Sequence, residues 1–265
     1  MAANTPLNTI RLSANVGFLW SELPLIDRVG AAGRAGFRGV EFHLPYATPA
    51  SELKAACATA SVAVLGINTP YGSRAAGEFG LGALPGREDD FLQLFETAAA
   101  YADALGANAI HVLAGIVPEA QRAKATQTFV RNLERASRMT PQGVTLLLEA
   151  MNQVDQPAYL YSTTAEADAV RAAVGAANVK LMFDAYHVGR GRRDVVAEFT
   201  RYLPHIAHVQ IAAVPSRAEP DEGTLDYRTV LSAIAASGYR GWVGAEYKPR
   251  TTTEAGLGWR AATGV

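Results

Sequence analysis

Eight short apolar runs, spaced along 265 residues, constrain this chain more than any other feature. They read TIRLSAN (9–15), RGVEFH (38–43), VAVLGIN (62–68), NAIHVLA (108–114), GVTLLLE (143–149), NVKLMFD (178–184), IAHVQIA (206–212) and GWVGAEY (241–247). Most are near-continuous in hydrophobicity, the pattern of parallel strands covered on both faces. Ala-rich stretches of helical spacing lie between them. SELPLIDRVGAAGRAGF opens on a Ser cap with Glu22, and TPASELKAACATAS offers Thr48 or Ser51 as caps with Pro49 near its start. REDDFLQLFETAAAYADALGA has acidic residues in its first turn and Gly106 near its end, as the helix dipole and C-cap favour. PEAQRAKATQTFVRNLERASRM, TTAEADAVRAAVGA, RDVVAEFTRYL and DYRTVLSAIAASG complete the alternation. Eight such repeats predict an α/β fold, one closed (β/α)8 TIM barrel spanning 1–265, over an open doubly wound sheet. The first strand–helix turn, SANVGFLWSE, also lacks the GxGxxG of a dinucleotide-binding sheet.

Composition excludes several partners. With 24 basic and 25 acidic residues the net charge is −1, which suits neither nucleic acid nor an anionic membrane surface. The lone Cys57 rules out an internal disulfide and a Cys-rich zinc site, and fits a reducing cytoplasm. MAANTPLNTIRLSANVG has no apolar core of signal-peptide length, and no run approaches a membrane span. The expectation is a soluble, cytoplasmic protein. A homo-oligomer is allowed, since barrels of this kind often self-associate, but the sequence carries no interface signature. Two long segments, 68–86 and 212–224, each follow a strand and so belong to the C-terminal face of a barrel, where barrel active sites lie.

The strand ends carry the chemistry. The fifth run ends in Glu149 and the sixth in Asp184; the seventh carries Gln210 and the eighth Glu246. Alternation lets them face inward with Leu147, Met182, His208 and Gly244 respectively. Any one strand-end carboxylate is ordinarily a solvated residue or a helix cap. Four consecutive strands behaving alike point instead to a divalent cation held among them, and an all-oxygen donor set suits Mg²⁺ or Mn²⁺.

Other polar residues converge on the same mouth. His187, three positions after Asp184, falls on a loop where it either contacts substrate or moves a proton, or is merely exposed. His111 lies inside the fourth run, as a core histidine or facing the cavity. Glu41 and His43 share the inward face at the end of the second run and line the pocket, as does Asn68 at the end of the third. His208 reads as barrel filling and His205 as structural. Arg217, Lys248 and Arg250 put positive charge above the site, a grouping that an anionic substrate explains.

INTPYG, AAGEFGLGALPGRE, LGANAIHVLAG, TLLLEAMN, FDAYHV, HVQIAAVPSRAEPDEGTLDY and GWVGAEYKPR…TEAGLGW resemble the hydroxypyruvate isomerase family of xylose-isomerase-like barrels, from about residue 10 to about residue 260. The resemblance implies a metal held by Glu149, Asp184, Gln210 and Glu246, with substrate near His187 and Arg217. It implies an aldose–ketose shift of a small hydroxy-oxo acid, hydroxypyruvate to tartronate semialdehyde, through an enediolate. Glu149 and Glu246 are then the acid–base pair, in either order, and His111, Glu41, Asn68 and Lys248 line the substrate pocket. EAMNQVDQPAYLYS departs from the segments usual in this branch, which keeps 2-oxo-tetronate isomerisation and ketose 3-epimerisation as alternatives. A metal-dependent endonuclease at abasic DNA needs a basic track and more histidines than the five present. A non-catalytic sugar-acid binder would not need paired glutamates.

Overall fold

A computed structural model describes residues 10–265. Most of the N-terminal stretch read for a signal segment, and Thr9 of the first run, lie outside the described residues. Eight parallel strands close a barrel in chain order, β1 pairing with both β2 and β8. They are β1 (Arg11–Asn15), β2 (Gly39–Phe42), β3 (Ala63–Asn68), β4 (Ala109–His111), β5 (Thr145–Glu149), β6 (Val179–Asp184), β7 (Ile206–Ile211) and β8 (Trp242–Ala245). The helices are α1 (Leu25–Arg34), α2 (Ala50–Thr59), α3 (Glu88–Leu105), α4 (Arg122–Met139), α5 (Thr164–Val174), α6 (Ala185–Arg190), α7 (Val195–Tyr202), α8 (Tyr227–Ala236), α9 (Thr253–Gly256) and α10 (Trp259–Thr263).

Alternation along the strands sorts side chains into two compartments. Leu146, Leu148, Leu181 and Phe183 join the large core between barrel and helices, whereas Ala109, Leu147 and Met182 form a separate cluster. By strand alternation that small cluster faces the barrel interior, beneath the polar strand ends. Each fully buried Leu or Phe stabilises the fold by about 1.5–3 kcal/mol over exposure.

Caps define the helices where the chemistry allows. Thr163 and Glu166 close a capping box on α5, Asp226 accepts from Arg228 and Thr229 at α8, and Gly106 ends α3 with φ 79°. The caps expected for α1 and α2 are not used. Pro24 and Pro49 occupy the N-cap positions, and neither makes a side-chain cap bond. Proline presets φ for the helix start and has no N–H to satisfy, so α1 begins later than Ser21 suggested and α2 begins at Ala50, between the two candidate caps Thr48 and Ser51. No helix among the described residues is long and apolar enough to cross a membrane.

Candidate active site

The sheet brings the four strand ends to one mouth. Glu149 closes β5 beside Met182, Asp184 closes β6 beside Gln210, and Gln210 pairs across to Gly244. Glu246 lies one residue past β8, held to the barrel by its backbone N–H bond to Ile211 O at 3.1 Å. All four side chains are buried. Asp184 is also the N-cap of α6: its Oδ1 accepts from Tyr186 N at 2.8 Å, leaving Oδ2 for the site.

His187 is not on an open loop. The short helix α6 carries it, buried, with Nε2 3.6 Å from both Glu149 Oε1 and Asp184 Oδ2. One ligand-type atom from each of these three residues lies within 4.8 Å of the other two, so by spacing alone Glu149, Asp184 and His187 could hold a metal. The ring is fixed from behind. Asn152 N lies 3.2 Å from Nδ1 and Asn152 Nδ2 lies 2.6 Å from it. The amide cannot be turned round, because Asn152 Oδ1 already accepts from Val154 N and Asp155 N. Nδ1 is therefore the acceptor, and the neutral ring carries its proton on Nε2, facing the two carboxylates.

Arg217 is the cation of the site. Its Nη2 lies 2.6 Å from Glu246 Oε2 and 3.8 Å from Asp184 Oδ2. The guanidinium is 5.1 Å from the Phe18 ring and 4.9 Å from that of Tyr186. Both rings lie within cation–π distance of the guanidinium. Its backbone adopts φ 58°, a left-handed conformation rare for a long side chain, and Lys248 N donates to its carbonyl at 2.7 Å. Glu246 Oε1 accepts from Asn15 Nδ2 at 2.8 Å and lies 3.0 Å from His43 Nε2.

Charge does not balance here. Three carboxylates face one guanidinium, and burial pulls both His187 and His111 down to about 3, so the imidazoles are neutral. Negative charge is left over, with the Glu41 carboxylate adding to it, and a divalent cation would offset it. The strain shows in the protons. Burial, reinforced by Glu246, pushes Asp184 up to about 7. Burial, with Glu246 and Asp184 nearby, pushes Glu149 well above the usual carboxylate range. Burial opposes ionisation of Glu246 as well, but Arg217 and His43 overcome it and hold that carboxyl low. Glu149 Oε1, Asp184 Oδ2 and Gln210 Oε1 are buried with no hydrogen-bond partner among the described residues. Hard, oxygen-rich and partnerless, this donor set fits a small divalent ion.

A pH dependence follows. Asp184 rises from 3.8 when unfolded to about 7 when folded and metal-free. A raised carboxyl pKa stabilises the fold at low pH, and that contribution is lost as pH climbs through the folded value. A cation that displaces the proton restores it. The thermal stabilisation given by a fixed excess of Mn²⁺ should therefore grow from about pH 4 to about pH 7. Calorimetric melting with and without Mn²⁺ measures this; a constant increment would place ion binding away from these carboxylates.

The remaining sequence candidates separate. His111 is buried with Nδ1 3.6 Å from Glu149 Oε2, so it does face the cavity. A cavity of about 20 Å³ beneath the mouth is lined by Asn68, His111, Glu41, Gln210 and neighbours. Glu41 is bonded inside the barrel to Ser13 and Gln210. The Lys248 ammonium is exposed and rests 5.7 Å from the Phe18 ring. Arg250 does not join the site. Glu219, Asp221 and Glu222 capture its guanidinium at 2.8–2.9 Å, because EPDE in the preceding loop offers carboxylates closer than any substrate. That clasp ties the Arg217 loop to the segment after β8. His205 pairs with Asp168 at 2.8 Å, a structural role as expected. Sequence reasoning missed Asn15 and Asn152. Asn15 ends the first run as Glu149 ends the fifth, and the same rule would have found it; Asn152 lies in a loop with no such signal.

The chain matches the family of xylose isomerase-like TIM barrels over residues 29–263. It is 42% identical over 251 residues to the 2-oxo-tetronate isomerase of Cupriavidus necator, covering 94% of this chain and 96% of that one. It is 38% identical over 252 residues to the hydroxypyruvate isomerase of Escherichia coli, covering 94% and 98%. A crystal structure from Brucella melitensis, described as AP endonuclease, family 2, superposes with a TM-score of 0.92 at 37% identity, over 95% of this chain and 98% of that one. The chain belongs to the xylose isomerase-like TIM barrel family. Within that family it stands with the isomerases.

Proposed function

We propose that this protein is a metal-dependent isomerase of small hydroxy-oxo acids. Hydroxypyruvate and tartronate semialdehyde are the first candidate pair, and a 2-oxo-tetronate is the alternative, favoured by the Cupriavidus necator relative. The observation that carries the reading is the buried carboxylate cluster of Glu149, Asp184 and Glu246 beside Gln210, with Glu149 Oε1, Asp184 Oδ2 and Gln210 Oε1 lacking a hydrogen-bond partner among the described residues. Glu149, Asp184, Gln210 and Glu246 would hold the ion. His187 would not, since its Nε2 carries a proton; it donates that proton in a hydrogen bond to a substrate oxygen.

Bound Mg²⁺ or Mn²⁺ would supply Lewis-acid polarisation of the substrate carbonyl. The protein's residues do the rest. One glutamate, Glu149 or Glu246, takes the proton from the carbon bearing the hydroxyl, and the electron pair passes to the neighbouring carbonyl to give the enediolate. The other glutamate delivers a proton to the adjacent carbon, while a proton passes between the two oxygens. Arg217 receives the substrate carboxylate, with the Phe18 and Tyr186 rings within cation–π reach of its fork. Buried His111, Leu147 and Met182 line the site from beneath. The reaction needs no nicotinamide, and a cytoplasmic setting suits the single thiol, Cys57.

A substrate panel tests the reading. Hydroxypyruvate, tartronate semialdehyde, 2-oxo-tetronates and neutral ketoses are each assayed with Mn²⁺, with Mg²⁺ and with EDTA. The acids should turn over, lose turnover in chelator and regain it on metal addition. Full activity in EDTA would overturn the metal role. Binding of the acids without turnover under any condition would make the protein a binder.

A further inference from the structure

Glu41 is a buried carboxylate that the chemistry above does not use. β2 shifts register against β3 between Val40 and Glu41, and the side chain reaches across the barrel interior toward β8. Gly244 leaves it room: a Cβ there would collide with Glu41 Oε1. Ser13 Oγ donates to Oε1 at 2.5 Å, and Gln210 Nε2 donates to Oε2 at 2.8 Å. His208 Nε2 lies 3.1 Å from Oε1 but is not aligned for a hydrogen bond.

This contact decides which end of an amide meets the site. The two ends of a glutamine amide have almost the same shape, so packing alone leaves its orientation open. A carboxylate receiving a hydroxyl proton on one oxygen accepts on the other as well, so it faces the amide NH₂ and not the carbonyl. Gln210 Oε1 is thereby turned away from Glu41, buried and without a hydrogen-bond partner among the described residues. An NH₂ in its place would offer a cation two protons and no lone pair.

We propose that Glu41 is a positioning residue: by fixing the Gln210 amide through the 2.8 Å bond, it presents oxygen rather than nitrogen to the metal. The proposal rests on the reading of Gln210 as a ligand. It treats Glu41 as an acceptor whose geometry matters, in contrast to a negative charge that attracts the ion from a distance. Partners that orient a ligand in this way are commonly worth 10–100-fold in metal affinity.

The two accounts differ in what conservative variants do. Glu41→Gln removes the charge but keeps a carbonyl that can accept from Gln210, while its own NH₂ faces the Ser13 hydroxyl. Glu41→Met keeps the volume and removes the acceptor. Mn²⁺ dissociation constants are measured by titration calorimetry and by the loss of free Mn²⁺ signal in electron paramagnetic resonance, without substrate. Glu41→Gln should stay within a few-fold of the unmodified protein, and Glu41→Met should weaken binding by about 10–100-fold. On a Gln210→Ala background, Glu41→Met should then change little. In the metal-free protein, the Gln210 side-chain NH₂ resonances should be downfield and protected, identified by their loss in Gln210→Ala, and Glu41→Met should abolish that protection. If Glu41→Gln and Glu41→Met weaken Mn²⁺ equally, or Glu41→Met acts equally on the Gln210→Ala background, Glu41 works by charge and the proposal falls. If Glu41→Met does not fold, protection of the Gln210 amide in the unmodified protein and retained affinity in Glu41→Gln decide the matter, and an exposed, fast-exchanging amide overturns it. Failure of the unmodified protein to bind Mn²⁺ would remove the metal reading itself, and this proposal with it. Tight binding that survives every Glu41 change would remove only the role of Glu41.

Discussion

Glu149→Gln and Glu246→Gln should each lower turnover by at least ~10²–10⁴-fold, the scale of losing a positioned acid or base, and further if ligation weakens as well. The amide keeps the volume and still offers an oxygen. It cannot take a proton from carbon. The two positions should differ in their side effects. Among the described residues Glu149 has no Lys or Arg in ion-pair contact and its Oε1 has no hydrogen-bond partner, while Glu246 and Asp184 repel it, so its replacement relieves repulsion and should leave the metal-free fold at least as stable. Glu246 receives Asn15, His43 and Arg217, and its replacement leaves the Arg217 guanidinium without its 2.6 Å ionic partner. Glu246→Gln should therefore melt earlier than Glu149→Gln when metal-free. Elemental analysis reports ligation, and exchange of the substrate C–H in D₂O reports proton abstraction. A variant that keeps metal and still exchanges deuterium at the unmodified rate is a ligand only, and the other glutamate is the base. Unimpaired exchange in both variants would end the two-glutamate mechanism.

The barrel was legible because its signal repeats. Each near-continuous apolar run is a strand covered on both sides, and eight of them with helices between leave few other architectures. Glu149, Asp184 and Gln210 were legible for a related reason. A polar residue at the end of a buried strand has only the barrel mouth to point into, and strand alternation fixes which ones do. Residues whose position depends on a loop were harder to place. His187 was expected on an open loop, but Asp184 caps the chain into α6 at once and turns the imidazole inward. Arg250 was grouped with the substrate-facing cations because sequence distance cannot show that the preceding loop folds back to present Glu219, Asp221 and Glu222. Glu41 shares a face with the site in sequence, yet its partners on β1 and β7 are set by barrel closure, which joins residues 28 and 169 positions away.

Arg217→Ala should raise the Michaelis constant for an acid substrate by about 10–100-fold, the equivalent of a lost charge-assisted contact of ~1.5–3 kcal/mol, and that for a neutral ketose far less. The reason is that the guanidinium is the cation paired with these carboxylates, within cation–π reach of the Phe18 and Tyr186 rings. The same change bears on the metal in the opposite direction. Without Arg217, Glu246 and Asp184 lose the positive charge they share, and the metal-free protein keeps three buried carboxylates with no counter-charge. Removing one partner of such a pair costs on the order of 3–5 kcal/mol when the other stays ionised, and less as protons are taken up. The metal-free variant should melt markedly earlier, and increasingly so as pH rises through and above neutrality, where the raised carboxyls of Asp184 and Glu149 lose the protons that relieve the cluster. Mn²⁺ should recover much of that loss, and should bind at least as tightly as to the unmodified protein, since a competing cation has gone. Weak acid binding combined with undiminished Mn²⁺ affinity assigns Arg217 to the substrate. Mn²⁺ binding lost in parallel would mean that Arg217 holds the ligands in place, and equal Michaelis effects on acid and ketose would take the substrate carboxylate away from it.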